Sequence, residues 1–200
     1  LTGSFWGHVE TDGLSLNSAG GTDAFLLKIS PDGKTQWARS AGGPSDDAGQ
    51  SVVLASDGSL RWAGDIKQDA SLHGSPIASA ADGNIFLSKL SPDGNVTWTQ
   101  TAGGGKLDRV TDLATNPKTG EVYLAGGVVD GSHENGFLLK YDDNGSLRWG
   151  TKLTGAMSNQ IVGIAADDTG VFLAGNVQGG STLGASTLIS RGGSDGFLAK

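Results

Sequence analysis

A short pattern recurs four times along this chain: Asp or Asn, any residue, Phe, Leu, any residue, Lys. The copies span residues 23–28, 84–89, 135–140 and 195–200. A Trp follows each of the first three Phe residues by twelve positions, at Trp37, Trp98 and Trp149. An Asp or Asn follows each Trp by ten positions, at Asp47, Asp108 and Asn159. Self-similarity at a fixed spacing predicts a repeat architecture, in which each unit is one supersecondary motif.

Each unit ends in a small-residue signature, Ala-Gly. It closes at Gly64, Gly126 and Gly175, and a Thr-Gly pair ends at Gly3 near the start of the chain. The distance from Trp to the closing Gly is nearly constant, whereas the segment from that Gly to the next Phe is short in one unit and long in the other three. The length variation therefore lies in one connection.

Within a unit the local signals indicate short strands and tight turns. Pro-Asp-Gly or Asp-Asn-Gly turns at residues 30–33, 91–94 and 142–145 each follow a run of apolar residues, as in a hairpin. No window carries a helical apolar stripe, and the 34 glycines suit turns better than helices. We predict four short strands per unit, which is the spacing of a β-propeller blade. The predicted units span about residues 23–66, 84–128 and 135–177, with partial units at 1–22 and 178–200.

The repeated residues resemble the bacterial SBBP family of β-propeller repeats, whose units look like DAFLLKISPDGKTQW followed by Gly-Gly, Asp, Gly and Ala-Gly. The resemblance covers essentially the whole chain. It implies an all-β fold, a β-propeller of four-stranded antiparallel blades, in secreted or surface proteins. We therefore expect an extracellular or cell-surface location, with the periplasm as the other choice.

The number of predicted strands amounts to about three and a half blades. Because a propeller needs at least four blades to close, we expect the chain to be a segment of a larger protein or to be completed by another chain. This inference makes a second polypeptide one of the expected partners.

Composition excludes several other partners. A net charge of −7 with 14 scattered Lys and Arg residues disfavours a phosphate-binding surface, so nucleic acid is not expected. No apolar stretch approaches the ~20 residues that cross a bilayer, so membrane insertion by this segment is not expected. The chain has no Cys, which excludes disulfides and thiol chemistry.

Chemical motifs are weak throughout. No nucleophile elbow or phosphate loop is present, so no catalytic residue and no cofactor is predicted. The turn acids lack the alternating spacing of a calcium loop, and the three His residues occupy unequal positions, so no metal site is predicted. We interpret the repeated Trp as packing between units. The repeated Lys is expected to form ion pairs with Asp47 and Asp108, or carbonyl contacts, within its own unit.

The variable connection is the best candidate for binding. We expect it to cross from one blade to the next, and its long copies span residues 4–22, 65–83 and 176–194. The candidate binding-loop residues in these connections and in the short copy are Trp6, His8, His73 and His133. In the alternative interpretation the long copies form small edge hairpins that only cover a blade. For function, we expect a noncatalytic scaffold that binds a protein or glycan; the alternative is part of a secreted enzyme whose catalytic groups lie outside this segment.

Overall fold

The computed structural model describes residues 1–77, 84–103 and 106–200, and these residues contain strands but no helix. The strands are β1 (Thr2–Thr11), β2 (Leu14–Ile29), β3 (Thr35–Gly42), β4 (Ala48–Leu54), β5 (Leu60–Ile66), β6 (Ser71–Leu72), β7 (Ser75–Pro76), β8 (Asn84–Leu90), β9 (Val96–Ala102), β10 (Lys106–Thr115), β11 (Val122–Asp130), β12 (His133–Tyr141), β13 (Leu147–Gly155), β14 (Gln160–Asp167), β15 (Gly170–Leu183) and β16 (Ser186–Ala199). The prediction of an all-β chain is confirmed. With no helix in the described ranges, none of them offers a helix that could cross a membrane.

The strands form three antiparallel sheets. Their orders are β1-β2-β3-β6-β7, β4-β5-β8-β9 and β10-β11-β12-β13-β15-β14, and β16 pairs with β15 in the third. Apart from one isolated parallel bridge between Asn135 and Asn159, the ladders between described strands are antiparallel. The predicted antiparallel pairing is therefore confirmed.

The strands on either side of the segment after each closing Gly pair with each other, so the predicted crossover there is wrong. The strand that carries the closing Gly pairs directly with the next Phe strand: β1 with β2, β5 with β8, β11 with β12 and β15 with β16. In every copy the closing Gly lies opposite the Phe, as Gly64 lies opposite Phe86. A Cβ added to the glycine would come within 2.4–3.0 Å of that ring. The missing side chain therefore makes room for the Phe and fixes the register of the hairpin.

The connection between strand groups lies instead after the Trp strand. The chain leaves β3 at the glycine pair and starts β4 five residues later; there the Asp47 carboxylate accepts hydrogen bonds from the N–H of Gly43 (2.8 Å) and of Lys67 (2.6 Å). Asn159 binds the N–H of Gln178 in the equivalent way (3.2 Å). These contacts turn the chain from the Trp strand of one group of hairpins into the first strand of the next. We divide the strands into four such groups, β1–β3, β4–β9, β10–β13 and β14–β16; the third and fourth share one sheet, because β13 pairs with β15. Each group begins two strands away from the predicted unit boundaries.

Successive groups repeat the same contacts with one another. The Ser56 hydroxyl donates to the Pro117 carbonyl (2.7 Å), and the side chain of Asn116 donates to the Asp167 carbonyl (3.1 Å). Between these turns, the Asp112 carboxylate on β10 accepts hydrogen bonds from Ser51 on β4 (3.3 Å) and from the N–H of Ile164 on β14 (3.0 Å). The first strands of three successive groups therefore lie side by side.

The apolar core lies between neighbouring groups. Leu26 packs with Trp62 and Phe86 of the following group, whose rings meet edge to face at 4.9 Å. Two further clusters join the second group to the third and the third to the fourth. Burial of apolar side chains against the next group thus stabilises each group.

Candidate binding surface

Three hairpins extend beyond the closing Gly, and we call them the first, second and third ribbons. They comprise residues 8–17, 71–76 and 180–189. The first and third start with the same bulge: the N–H of Gly7 donates to the Ser18 hydroxyl (2.9 Å), and the N–H of Gly179 donates to the Ser190 hydroxyl (2.8 Å). Both glycines have positive φ, near 70°, which side-chain-bearing residues rarely adopt. The bulge bends the strands and directs each ribbon away from its sheet.

Trp6 and His8 flank the bulge of the first ribbon. Trp6 is 75% exposed, in contrast to Trp62, which is fully buried. The His8 ring is within hydrogen-bond distance of Asn17 Oδ1 (2.8 Å) and Glu10 Oε1 (3.2 Å). These two contacts raise the pKa of His8 above its ordinary value, the Asn17 contact being the stronger cause. The bulge therefore separates an exposed indole from a His ring that can both donate and accept hydrogen bonds.

His73 forms the tip of the second ribbon together with Gly74. Both residues have positive φ, 47° and 84°, which is the geometry of a type I′ hairpin turn. The N–H of His73 donates to the Ser40 carbonyl on β3 (2.9 Å), and the side chain is exposed. The backbone of His73 anchors the ribbon while its imidazole stays accessible.

His133 begins β12, at the tip of the short hairpin. Its Nδ1 lies 3.3 Å from the Ser132 hydroxyl. The next residue, Glu134, accepts two hydrogen bonds from Arg109, both 3.0 Å, and one from Gln160 (2.7 Å). The partners of Glu134 lie on β10 and β14, so this part of the hairpin connects the third and fourth groups.

The four candidate residues do not form one cluster. Trp6 and His8 lie on β1 at one edge of the first sheet, His73 lies in the hairpin at its opposite edge, and His133 lies in another sheet. Within residues 1–77, 84–103 and 106–200, no three His, Asp or Glu side chains form a group that could hold a metal ion. Any binding by these residues would use separate positions along the surface.

The second and third ribbons cover the sheets, as the edge-hairpin alternative predicted. Leu72 and Ala70 are buried in the first core cluster, and β6 pairs with β3 of the preceding group. In the same way, β15 continues into the third ribbon and pairs with β13 through Leu153 and Leu183. The first ribbon has no such neighbouring sheet within the described residues, and Val9 on it is exposed. Residues 78–83 of the predicted second loop lie outside the described residues.

The repeated Lys and Trp lie opposite each other and reach the next group. Lys28 pairs with Trp37 across the hairpin, and Lys89 pairs with Trp98. The Trp37 indole N–H and the Lys28 ammonium both donate to the Pro92 carbonyl (3.1 Å each), in the turn of the following group. The expected carbonyl contact of Lys is found, but it crosses to the next group. The expected pairing of the Lys residues with Asp47 is wrong, because Asp47 binds backbone N–H groups in the connection after the Trp strand.

The packing role predicted for Trp is found in two of three copies. The Trp98 indole N–H donates to the Asp143 carbonyl (3.1 Å), and a Cβ on Gly145 would lie 2.9 Å from the Trp98 ring. Gly94 makes the same close approach to Trp37. Trp149, at the third position, is 41% exposed. The ring of each packed Trp therefore lies on the glycine of a turn in the next group.

Sequence reasoning missed one buried charged residue, Arg61, at the contact between the second and third groups. Arg61 is fully buried, lies over the Trp98 ring (6.0 Å) and forms an ion pair with Asp143, which Lys89 also contacts at 2.7 Å. Burial lowers the pKa of Arg61, and Asp143 opposes that effect. The only signal in the sequence is that Arg61 stands where the other units carry Tyr123 and Phe172, because its partner Asp143 lies 82 residues away.

Two further acids, Asp142 and Asp65, accept hydrogen bonds from backbone N–H groups. The Asp142 carboxylate accepts N–H groups of its own turn and contacts Arg148, which lowers its pKa. Asp65 lies between the second and third groups, where it accepts hydrogen bonds from the N–H of Val110 (2.7 Å) and from Gln50 (2.7 Å). Burial raises the pKa of Asp65 to about 6, and the hydrogen bonds counteract this only in part.

Comparison with known proteins gives one informative similarity. No protein-family model matches the chain. A segment of 111 residues is 31% identical to "Regulatory protein FlaEY" of Caulobacter vibrioides. The match spans 54% of this chain and 12% of the length of that relative.

Proposed function

We propose that this chain is a noncatalytic β-propeller segment of the SBBP type, in a bacterial protein of the cell surface or outside the cell, and that it binds a protein or glycan. The propeller is supported by the repeated contacts between successive groups and by the adjacent first strands that meet at Asp112.

The observation that carries the binding proposal is the exposed Trp6 on the first ribbon. Trp6 is 75% exposed and lies two residues before His8, whose ring contacts Asn17 and Glu10. A flat apolar ring next to polar groups suits amphipathic ligands, because the ring supplies contact area and the polar groups supply direction. His73 and His133 would add contacts at other positions on the same scaffold.

An array of bacterial polysaccharides and purified bacterial surface proteins, probed with the labelled chain, tests the proposal. The ribbon is removed by replacing residues 4–22 with residues 127–134, which join the equivalent ends of the short hairpin. We expect a saturable signal that falls at least tenfold in this graft and in Trp6→Ala. Leu54→Ala, at an exposed position outside the ribbons, is the control and should bind normally.

Circular dichroism and denaturant unfolding establish that the graft is folded. Binding that survives both the graft and Trp6→Ala in a folded protein would contradict the ribbon proposal. The absence of any saturable signal on both kinds of probe would also contradict it.

A further inference from the structure

The second and third ribbons each cover the outer edge of the Trp strand in the preceding group. Leu72 of the second ribbon lies opposite Ala41 on β3, and Leu183 of the third ribbon lies opposite Leu153 on β13. Ala41 and Leu153 occupy the same position, four residues after the Trp, and both are buried. The two covered edges therefore share one feature, a Leu opposite the fourth residue after the Trp.

β9 is a Trp strand that no ribbon covers within the described residues. Its cover would come from the third group, whose hairpin is the short copy, since β11 ends at Asp130 and β12 begins at His133. Among the described strands, the second sheet therefore ends at β9. Ala102, which corresponds to Ala41 and Leu153, is partly exposed. The outer edge of β9 presents unpaired backbone groups, which readily accept another strand.

A groove of about 350 Å³ runs beside β9 and is lined by residues 99–101 of this strand and by residues 75–77, where the second ribbon ends. Consecutive side chains of a strand point to opposite faces, so a groove that three consecutive residues line meets the strand at its edge. Val96 also lines the groove and is 42% exposed. In the first group, the N–H of the equivalent Thr35 instead donates to Asp12 of the longer first ribbon (2.8 Å). β9 carries no charged residue, so recognition here depends on main-chain hydrogen bonds and apolar contact.

The two covered edges also show which residues bind at such an edge. The residue before the Leu carries a hydroxyl group in both, as Ser71 and Thr182. After the Leu of the second ribbon, the N–H of His73 donates to the Ser40 carbonyl on β3 (2.9 Å). The position of Ser40 on β3 is that of Thr101 on β9, in the groove. A segment that binds β9 in this register therefore enters the groove directly after its Leu.

We propose that the outer edge of β9 is a docking site for an extended segment of a partner protein that contains Ser-Leu or Thr-Leu. The segment adds antiparallel to β9 with its Leu opposite Ala102, and the next N–H donates to the Thr101 carbonyl. The site is continuous with a contact that the chain already forms, because the second ribbon both covers β3 and lines the groove. β9 lies in a different sheet from Trp6 and His8, so the failure of this proposal is distinguishable from the failure of the ribbon proposal.

The chain itself supplies the probe, a synthetic peptide with the sequence of residues 68–77, which contains the second ribbon. The peptide is titrated into the isotope-labelled intact chain while the backbone amide resonances are recorded by NMR. We expect saturable shifts of the amides of residues 99–103. The amides of residues 38–42 are the matched control and should not shift, because β6 already covers that edge. A peptide carrying Leu72→Ser should bind at least tenfold more weakly, because it lacks the apolar side chain that lies opposite Ala102.

A variant of the chain tests the same edge from the other side. Residues 176–194 replace residues 127–134, so that the third group gains a long ribbon. We expect this ribbon to cover β9, as β15 covers β13, and to weaken binding of the peptide at least tenfold. Unchanged resonances of residues 38–42 establish that the variant is folded.

The Leu72→Ser peptide keeps the test valid if the ribbon variant fails to fold. Equal binding of the two peptides, shifts confined to residues outside β9, or the absence of saturable shifts would overturn the proposal. Dilution of the chain alone provides a further check. If the amides of residues 99–103 shift with the concentration of the chain and the peptide does not displace the self-association, the occupant is a second copy and the proposal is wrong.

Discussion

Trp98 and Trp149 occupy the same register position, yet their surroundings differ. Trp98 lies under the turn of the following group, bonded to the Asp143 carbonyl and packed against Gly145. Within the described residues, Trp149 has no such turn above it and is 41% exposed. Its ring centroid lies 6.1 Å from that of Tyr123. The Leu that follows the Phe of the repeated motif shows the same contrast, since Leu138 is 2% exposed and Leu198 is 78% exposed. The environment of a repeated residue is therefore set by the next unit, and identical residues contribute unequally to stability.

Truncation of the two Trp side chains gives the largest expected effect. Trp98→Ala should lower the free energy of unfolding by about 3 kcal/mol, at the low end for aromatic truncations because Trp98 is only partly buried. Trp149→Ala should cost less than about 1 kcal/mol, as exposed positions do. Urea unfolding of the two variants measures the difference. Equal costs would refute the inference that the next unit provides the stabilisation.

The turn glycines give a second comparison, because Gly145 packs against the Trp98 ring and Gly33 packs against nothing. Gly145 and Gly33 have the same φ of 84°, so Ala at either position costs about 1–2 kcal/mol for the left-handed backbone. A Cβ at Gly145 also lies 2.9 Å from the Trp98 ring, whereas a Cβ at Gly33 has no atom within 4 Å. We expect Gly145→Ala to cost about 1 kcal/mol more than Gly33→Ala, because overpacking adds to the backbone cost. Combining Gly145→Ala with Trp98→Ala should remove that extra cost, and a fully additive double mutant would contradict the contact.

The smallest expected effect is a pH dependence of stability caused by Asp65, which lies between the second and third groups. The folded state raises the pKa of Asp65 from 3.8 to about 6, so it holds the proton more tightly than the unfolded state does. Unfolding between pH 4 and 6 then releases a proton, and the free energy of unfolding should fall by about 2 kcal/mol as the pH rises through this window. Asp65→Asn should remove most of that fall, as measured by urea unfolding at pH 4 and pH 7.

Asp12→Asn is the matched control for this measurement. The pKa of Asp12 is lowered, mainly because its carboxylate accepts the Thr35 N–H, so its contribution has the opposite sign. A pH profile that is unchanged by Asp65→Asn would show that the carboxylate is not buried as described.

The sequence predicted the strands, the tight turns and the repeat because those signals are local. The Phe-Leu-x-Lys runs and the Pro-Asp-Gly turns lie within a few residues of one another, so their spacing carries the information. The packing of Trp37 and Trp98 could also be predicted, since a large flat residue repeated once per unit needs a partner surface. The exposure of Trp149 could not, because it depends on a turn in the next unit.

The strand pairing could not be predicted from loop length. A long connection after the closing Gly suggested a crossover, but the strands on either side of it pair directly with each other. The deciding contact is the Phe ring over the closing Gly, which becomes visible only when the two strands are placed side by side. The Arg61 site was missed for a related reason, because Asp143 comes from the turn of another unit. The ribbon residues Trp6, His8, His73 and His133 stay a prediction as binding residues.

Because the closing-Gly strand pairs with the next Phe strand, the boundaries of a deletion or duplication decide whether it leaves whole sheets. The second sheet joins the end of one sequence repeat, β4 and β5, to the beginning of the next, β8 and β9. A deletion that starts and ends at the Phe motifs therefore splits a sheet. A deletion that starts and ends in the connection between a Trp strand and the next first strand, after Gly43 and after Gly103, removes the whole β4-β5-β8-β9 sheet together with the β6–β7 hairpin that covers β3. Changes in length at those glycines therefore leave the remaining four-stranded pairings whole.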